Sequence, residues 1–254
     1  MKKLLAITAL SAALFFGQTA VAEEKAAEEV KPSHVEMVLV LDESGSMSDL
    51  TRDTIGGFNS MIEKEKKLDV DAHVTTVLFN DQYKMLYNRR ELKDVSKMTD
   101  KDYTPGGMTA LLDAVGRTIH KMDMVAGIHR KDKGNKVLFV IITDGEENDS
   151  KEYTYADVKK LIKDRQENAG WEFIFLGANI DGAAAAENLG IDRDRAVKYK
   201  NTGSGVRANF KAVAELSDSL AKSGRVSDRW KETVEKDEDD AADKQSAAVT
   251  SHRR

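Results

Sequence analysis

A five-residue apolar run, Met37-Val38-Leu39-Val40-Leu41, passes without a break into Asp42-Glu43-Ser44-Gly45-Ser46. A strand that is apolar at every position, not at alternate ones, needs cover on both faces, which is the setting of a central strand in a parallel sheet. Val137-Leu138-Phe139-Val140-Ile141-Ile142-Thr143 repeats the pattern and ends in Asp144-Gly145. Between the two runs, Leu111, Leu112, Val115 and Ile119 recur at helical spacing.

In chain order the expected elements alternate. A strand over Val35–Leu41 leads to a helix from about Arg52 to Leu68, a strand over Val70–Phe79 and its hairpin partner over Gln82–Tyr87. A helix over Ala110–Met124, a strand over Val137–Thr143, a helix over Tyr155–Asn168 and a strand over Trp171–Leu176 follow. A short helix over Ala183–Leu189, a strand over Ala196–Tyr199 and a helix over Val206–Lys222 close the series. This order predicts an α/β fold: a doubly wound, mostly parallel central sheet with helices on both faces and one antiparallel edge strand.

The flanks carry other signals. Lys2 and Lys3, the apolar stretch Leu4–Phe16 and the small-residue site Ala20-Val21-Ala22 form a signal peptide over residues 1–22, and the stretch is too short to span a bilayer comfortably. The mature protein is therefore expected to be exported, periplasmic or secreted, with no membrane span after signal cleavage. Residues 23–33 read as a charged spacer, 34–224 as the globular domain and 225–254 as a charged tail expected to be disordered. The chain has no cysteine, which excludes disulfides, thiolate metal sites and cysteine catalysis. A net charge of −5 and the lack of a basic stripe argue against a nucleic-acid partner. The five histidines are scattered without an i, i+4 pair, so a zinc site is not expected.

Asp42, Ser44 and Ser46 have D-x-S-x-S spacing at the end of the first strand. Thr109 follows Thr104-Pro105-Gly106-Gly107-Met108 at the start of a helix, and Asp144 ends a later strand. In an open α/β sheet, ligands bind outside the carboxyl ends of the strands, where strand order reverses. Each residue alone could be a helix cap or a turn former; together they make an all-oxygen, hydroxyl-rich set. Such a set suits a hard cation, Mg²⁺ first, with Mn²⁺ and Ca²⁺ as the alternatives. With only two carboxylates the ion stays electrophilic, and a Glu or Asp carboxylate from a protein partner is a natural further ligand. Phosphate-loop and nucleophile-elbow motifs are both missing.

This arrangement resembles the metal-ion-dependent adhesion site of von Willebrand factor type A (vWA) domains, over roughly Val35 to Lys222. The resemblance implies that Ser44, Ser46 and Thr109 give hydroxyl oxygens directly to the ion. It also implies that Asp42 and Asp144 act nearby, often through water, to balance charge. Asp53-Thr54-Ile55-Gly56-Gly57-Phe58-Asn59, Thr109 to Ala114 and Trp171 to Asn179 look like a group of bacterial single-domain vWA proteins. That group generally lacks an export signal, and this chain departs from it there.

The function implied is an exported, metal-dependent protein-binding module with no catalytic residue. The alternatives are a metal-dependent hydrolase, in which Glu146 or Asp144 activates a metal-bound water, and an accessory subunit of a larger envelope complex. Glu146, Glu147 and Asp149 either tune the metal or form a solvated loop. Met108 and Tyr103 either rim the site or pack, and Asn80-Asp81 serve the hairpin turn.

Overall fold

Six strands pair in the order β3-β2-β1-β4-β5-β6. They are β1 (Val35–Asp42), β2 (Ala72–Phe79), β3 (Tyr83–Glu91), β4 (Lys136–Thr143), β5 (Glu172–Gly177) and β6 (Ala196–Lys198). In this computed structural model the residues described are 34–125, 135–178, 182–227 and 229–236. The expected signal peptide, spacer and last part of the tail lie outside them.

All neighbours are parallel except β2 and β3, which form the expected antiparallel hairpin. The chain builds β1, β2 and β3 outward to one edge, then returns to lay β4 on the other side of β1. Strand order therefore reverses between β1 and β4, and the turns that leave their carboxyl ends lie side by side.

Helices α1 (Thr51–Lys67), α2 (Leu111–Asp123), α3 (Tyr155–Asp164), α4 (Gly182–Leu189) and α5 (Gly203–Ser223) cover the sheet. Alternation along the strands divides the core in two. Met37, Leu39 and Leu41 face α1 and α5, whereas Val38 and Val40 face α2, α3 and α4. Both sets are buried, which is why the middle of β1, Met37 to Leu41, had to be apolar at every position. Helices α1 and α5 approach closely at Gly57, where a Cβ would run into the Phe210 ring.

The same helix pair encloses a polar group. Glu65 of α1 is fully buried, and neither carboxylate oxygen has a hydrogen-bond partner. Burial pushes its carboxyl up to about 7.

The expected elements are all present, with shifted ends. A 3₁₀ turn over Gly45–Leu50 precedes α1, and β2 starts at Ala72, after Asp69 takes a positive φ of 53°. Helix α3 stops at Asp164 and passes through a π turn to Gly170, whose φ is 69°. Packing does not end at 224: Val226, Trp230 and Val234, within the expected disordered tail, are buried against the α5 side of the core.

Candidate metal centre

β1 delivers Asp42 and β4 delivers Thr143 and Asp144 to the same edge. Asp42 Oδ1 accepts the Ser44 N–H at 2.7 Å, and Oδ2 accepts the Thr143 hydroxyl at 2.5 Å. Ser46 Oγ donates to Asp144 Oδ1 at 2.5 Å. Ser44 Oγ lies 3.0 Å from Ser46 Oγ, whose proton is already committed, so Ser44 donates to it. Thr109 joins from the second loop. A Cβ on Gly145 would lie 3.4 Å from Thr109 Oγ1 and 3.7 Å from Ser46 Oγ, so the two hydroxyls flank that glycine. All five sequence-predicted residues thus converge. Asp42, Ser44, Thr109 and Asp144 are buried, and Ser46 is exposed at the mouth.

The bland alternatives for these residues do not describe the geometry. Ser44 occupies the N-cap position of the 3₁₀ turn but makes no capping bond. Helix α2 begins at Leu111 with Ala110 at its N-cap, so Thr109 lies outside the helix. The Ser44 and Ser46 hydroxyls are spent on each other and on the Asp144 carboxylate.

The loops are tied together by backbone. Gly45 N–H donates to Gly107 O at 3.2 Å and Gly106 N–H to Glu43 O at 2.9 Å. Gly107 has φ 75°, and a Cβ there would strike the Asp81 carboxylate, so the second loop needs glycine. Thr109 N–H donates to Asn148 Oδ1 at 2.8 Å, and Asn148 N–H returns to Thr109 O at 3.0 Å.

Residues 34–191 match the family described as the vWA domain found in the TerF C terminus, which is more than half of the 254 residues. The chain belongs to this vWA family.

Solved vWA structures share the fold. The vWF domain of the type V pili tip protein Mfa5 from Porphyromonas gingivalis matches with TM-score 0.53 at 12% identity, covering 78% of this chain and 99% of that one. The pilus adhesin SpaC from Lactobacillus rhamnosus GG, in its open conformation, matches with TM-score 0.59 at 14% identity and 76% coverage. The PilB minor pilin from Streptococcus sanguinis gives 0.51 at 13% identity, covering 73% of this chain and 61% of that one. The chain spans 31% of the SpaC length and 61% of the PilB length, so those two likenesses concern part of a longer protein. No curated protein sequence matches the chain.

The electrostatics of the vWA site fit a cation. Burial pushes the Asp42 carboxyl above its ordinary range and the Asp144 charge adds to this, against hydrogen bonds from Ser44 and Thr143. Among the described residues no lysine or arginine pairs with Asp42. Tyr199 is buried nearby, and its hydroxyl has no hydrogen-bond partner among the described residues. Two neighbouring buried carboxylates with three hydroxyls at hand are a donor set for a hard divalent ion.

Several supports of the vWA site carry no sequence signal of their own. Thr143 completes the shell of Asp42, and Asn201, from the turn before α5, donates to Asp144 Oδ2 at 3.3 Å. Tyr103 is buried and donates to Asp42 O at 2.6 Å, which makes it packing and not rim. Met108 stays 50% exposed at the edge of the site. Asn80 serves the hairpin through Gln82 N–H, and it also donates to Gly106 O at 2.8 Å, bracing the second loop. Glu147 accepts from Leu112 N, Asp149 N, Ser150 N and Ser150 Oγ, so it organises the start of α2. Glu146 is exposed.

Proposed function

We propose that this vWA domain is an exported protein-interaction module. In it Asp42, Ser44, Ser46, Thr109 and Asp144 hold Mg²⁺, and the ion takes a Glu or Asp carboxylate from a partner protein. The observation that carries the reading is the hydroxyl-rich, carboxylate-poor ring at the topological switch point, with Ser46 open to solvent. The ion supplies electrophilic attraction for an anionic oxygen. The chain's own residues hold it, limit its neutralisation to two carboxylates and leave one side facing outward.

Further support comes from proteins that share the fold, among them a pilus adhesin, a minor pilin and a pilus tip protein. Export rests on the leader-like residues 1–22. No helix among the described residues is long and apolar enough to cross a membrane.

The test is calorimetric titration of Mg²⁺, Mn²⁺ and Ca²⁺ into the protein and into Asp42→Ala. Saturable binding to the first, absent from the second, is expected, together with a pull-down partner that EDTA releases. A partner indifferent both to chelation and to Asp42→Ala would overturn carboxylate capture.

A further inference from the structure

At the opposite end of β1, two histidines far apart in sequence meet. Glu36 of β1 stands directly opposite His73 of β2 in the parallel register. His34 lies two residues before Glu36, hence on the same face. Three ligand atoms converge: His34 Nε2 to His73 Nδ1 is 2.9 Å, His34 Nε2 to Glu36 Oε1 is 3.3 Å, and His73 Nδ1 to Glu36 Oε1 is 3.2 Å. Neighbouring ligands of a tetrahedral zinc-type ion, bound at about 2.0–2.1 Å, are separated by roughly 3.3 Å. The observed triangle is already of that size.

Without a metal the cluster can close as an ion-pair network, with His34 an imidazolium that gives Nδ1–H to Asp71 and Nε2–H to Glu36. With His34 neutral, the 2.9 Å contact from Nδ1 to Asp71 Oδ1 places the proton on Nδ1 and leaves Nε2 a lone pair that a metal ion can take. Arg89 approaches His73 Nδ1 at 3.2 Å as a donor, which asks that nitrogen to accept as well. Two ring acceptors and a carboxylate oxygen then face one point. A metal ion there satisfies all three together. The contact behind His34 is the one that metal-bound imidazoles make, with the far ring N–H given to a carboxylate that fixes the tautomer.

We propose that His34, Glu36 and His73 form a second metal site, for a divalent transition-metal ion of the zinc type, with Asp71 as the positioning residue behind His34. It is distinct in place and chemistry from the hydroxyl-rich site: imidazole nitrogen favours zinc-type ions, hydroxyl oxygen favours Mg²⁺. Glu36 is buried while the two rings are partly exposed, so an ion reaches the triangle from the solvent side. That side is a groove of about 480 Å³ lined by His34, Asp71, His73, Glu91 and Lys93. The bound ion ties the start of β1 to the start of β2 and keeps an outward coordination position.

Arg89 is the built-in competitor. Asn88 and Arg89 stand opposite Thr75 alone, in a bulge between the Val74–Arg90 and Thr76–Tyr87 pairs. Arg89 takes a φ of 45° there, and its guanidinium donates to both Glu36 oxygens. Its side chain is 33% exposed, and an ion on Glu36 takes its place there.

The test is titration of Zn²⁺ into the full chain with Mg²⁺ saturating, repeated with Co²⁺ so that its visible absorption reports tetrahedral imidazole ligation. One equivalent of Zn²⁺ is expected, kept in Asp42→Ala and lost in His73→Ala and His34→Ala. Asp71→Asn is expected to weaken Zn²⁺ by about 10–100-fold, and Arg89→Ala to bind at least as tightly as the unaltered protein. Circular dichroism verifies that each variant folds. Zn²⁺ should also raise the Tm of the protein and of Asp42→Ala but not of His73→Ala. An ion-pair cluster only, with no Zn²⁺ uptake in the protein or in Arg89→Ala, overturns the proposal. So does uptake lost in Asp42→Ala and kept in His73→Ala, or weakened by Arg89→Ala.

Discussion

The two ends of β1 gather polar groups in opposite ways. At the carboxyl end, Asp42 closes strand β1 while Ser44, Ser46, Thr109 and Asp144 come from the loops; all offer oxygen only, and the loops are tied by backbone bonds. At the amino end, His34, Glu36 and His73 come from the strands or their first flanking residue, offer mostly nitrogen, and are fixed by strand register. Loops can be long or short without disturbing the sheet, so the first end depends on local sequence. Register cannot slip by one residue without turning Glu36 or His73 to the other face, so the second end depends on the pairing of β1 with β2.

The largest expected effect breaks the first end alone. Asp42→Ala should abolish measurable Mg²⁺ binding while leaving the Zn²⁺ isotherm in place, and His73→Ala should do the reverse. Because the sites share no partner, the Mg²⁺ affinity of His73→Ala should match that of the unaltered protein within a few tenths of a kcal/mol. A larger difference from calorimetry would mean that the two ends communicate through β1.

Glu65, which belongs to neither end, gives the next effect. Its folded-state pKa lies at about 7, above the ordinary carboxylate range, so the native state holds this proton longer than the unfolded chain does. Its contribution to stability is therefore unfavourable above pH 7 and vanishes below the ordinary carboxylate pKa. Stability is lost as pH rises between those two values. Glu65→Gln should stabilise the protein at pH 8 by on the order of 3 kcal/mol and have little effect near pH 4. Denaturant melts at both pH values measure this, and equal effects at the two would contradict the assignment.

Thr143→Val sharpens the first end further. It removes the donor to Asp42 Oδ2 in a fully buried setting, which should cost about 1–3 kcal/mol in thermal melts. Mg²⁺ should partly restore that stability, because the ion neutralises the same carboxylate; a shortfall that Mg²⁺ does not touch would argue that Asp42 lies outside the ion's reach. The smallest effect belongs to Asn201→Ala. Its 3.3 Å bond to Asp144 is long, and a loss of about 0.5–1 kcal/mol or less is expected by the same melt.

These comparisons also show what could be seen before any fold. The five residues of the hydroxyl-rich edge were legible because each stands in or beside a short motif, and each motif sits near a strand end that apolar runs reveal. Thr143 was legible only as the last residue of a strand, since its role depends on Asp42 lying across the β1–β4 pair. Asn201 comes from a turn more than fifty residues beyond Asp144, with no spacing rule to connect them. The histidines read as scattered because they are 39 residues apart, yet they meet at 2.9 Å. The charged tail concealed Trp230 and Val234, two apolar anchors too widely spaced to stand out from their polar neighbours.

The sequence alone determined the layered α/β fold and the hydroxyl-rich edge. Continuous apolar strands demand cover on both faces, and strand order then dictates where their turns gather. Only the tertiary structure decided that His34, Glu36 and His73 share one point, that Thr143 closes the shell of Asp42, and that Glu65 is sealed between α1 and α5. Each of these is a contact between residues distant in the chain. Strand register and helix packing set their distances, and neither is written in any local stretch of residues.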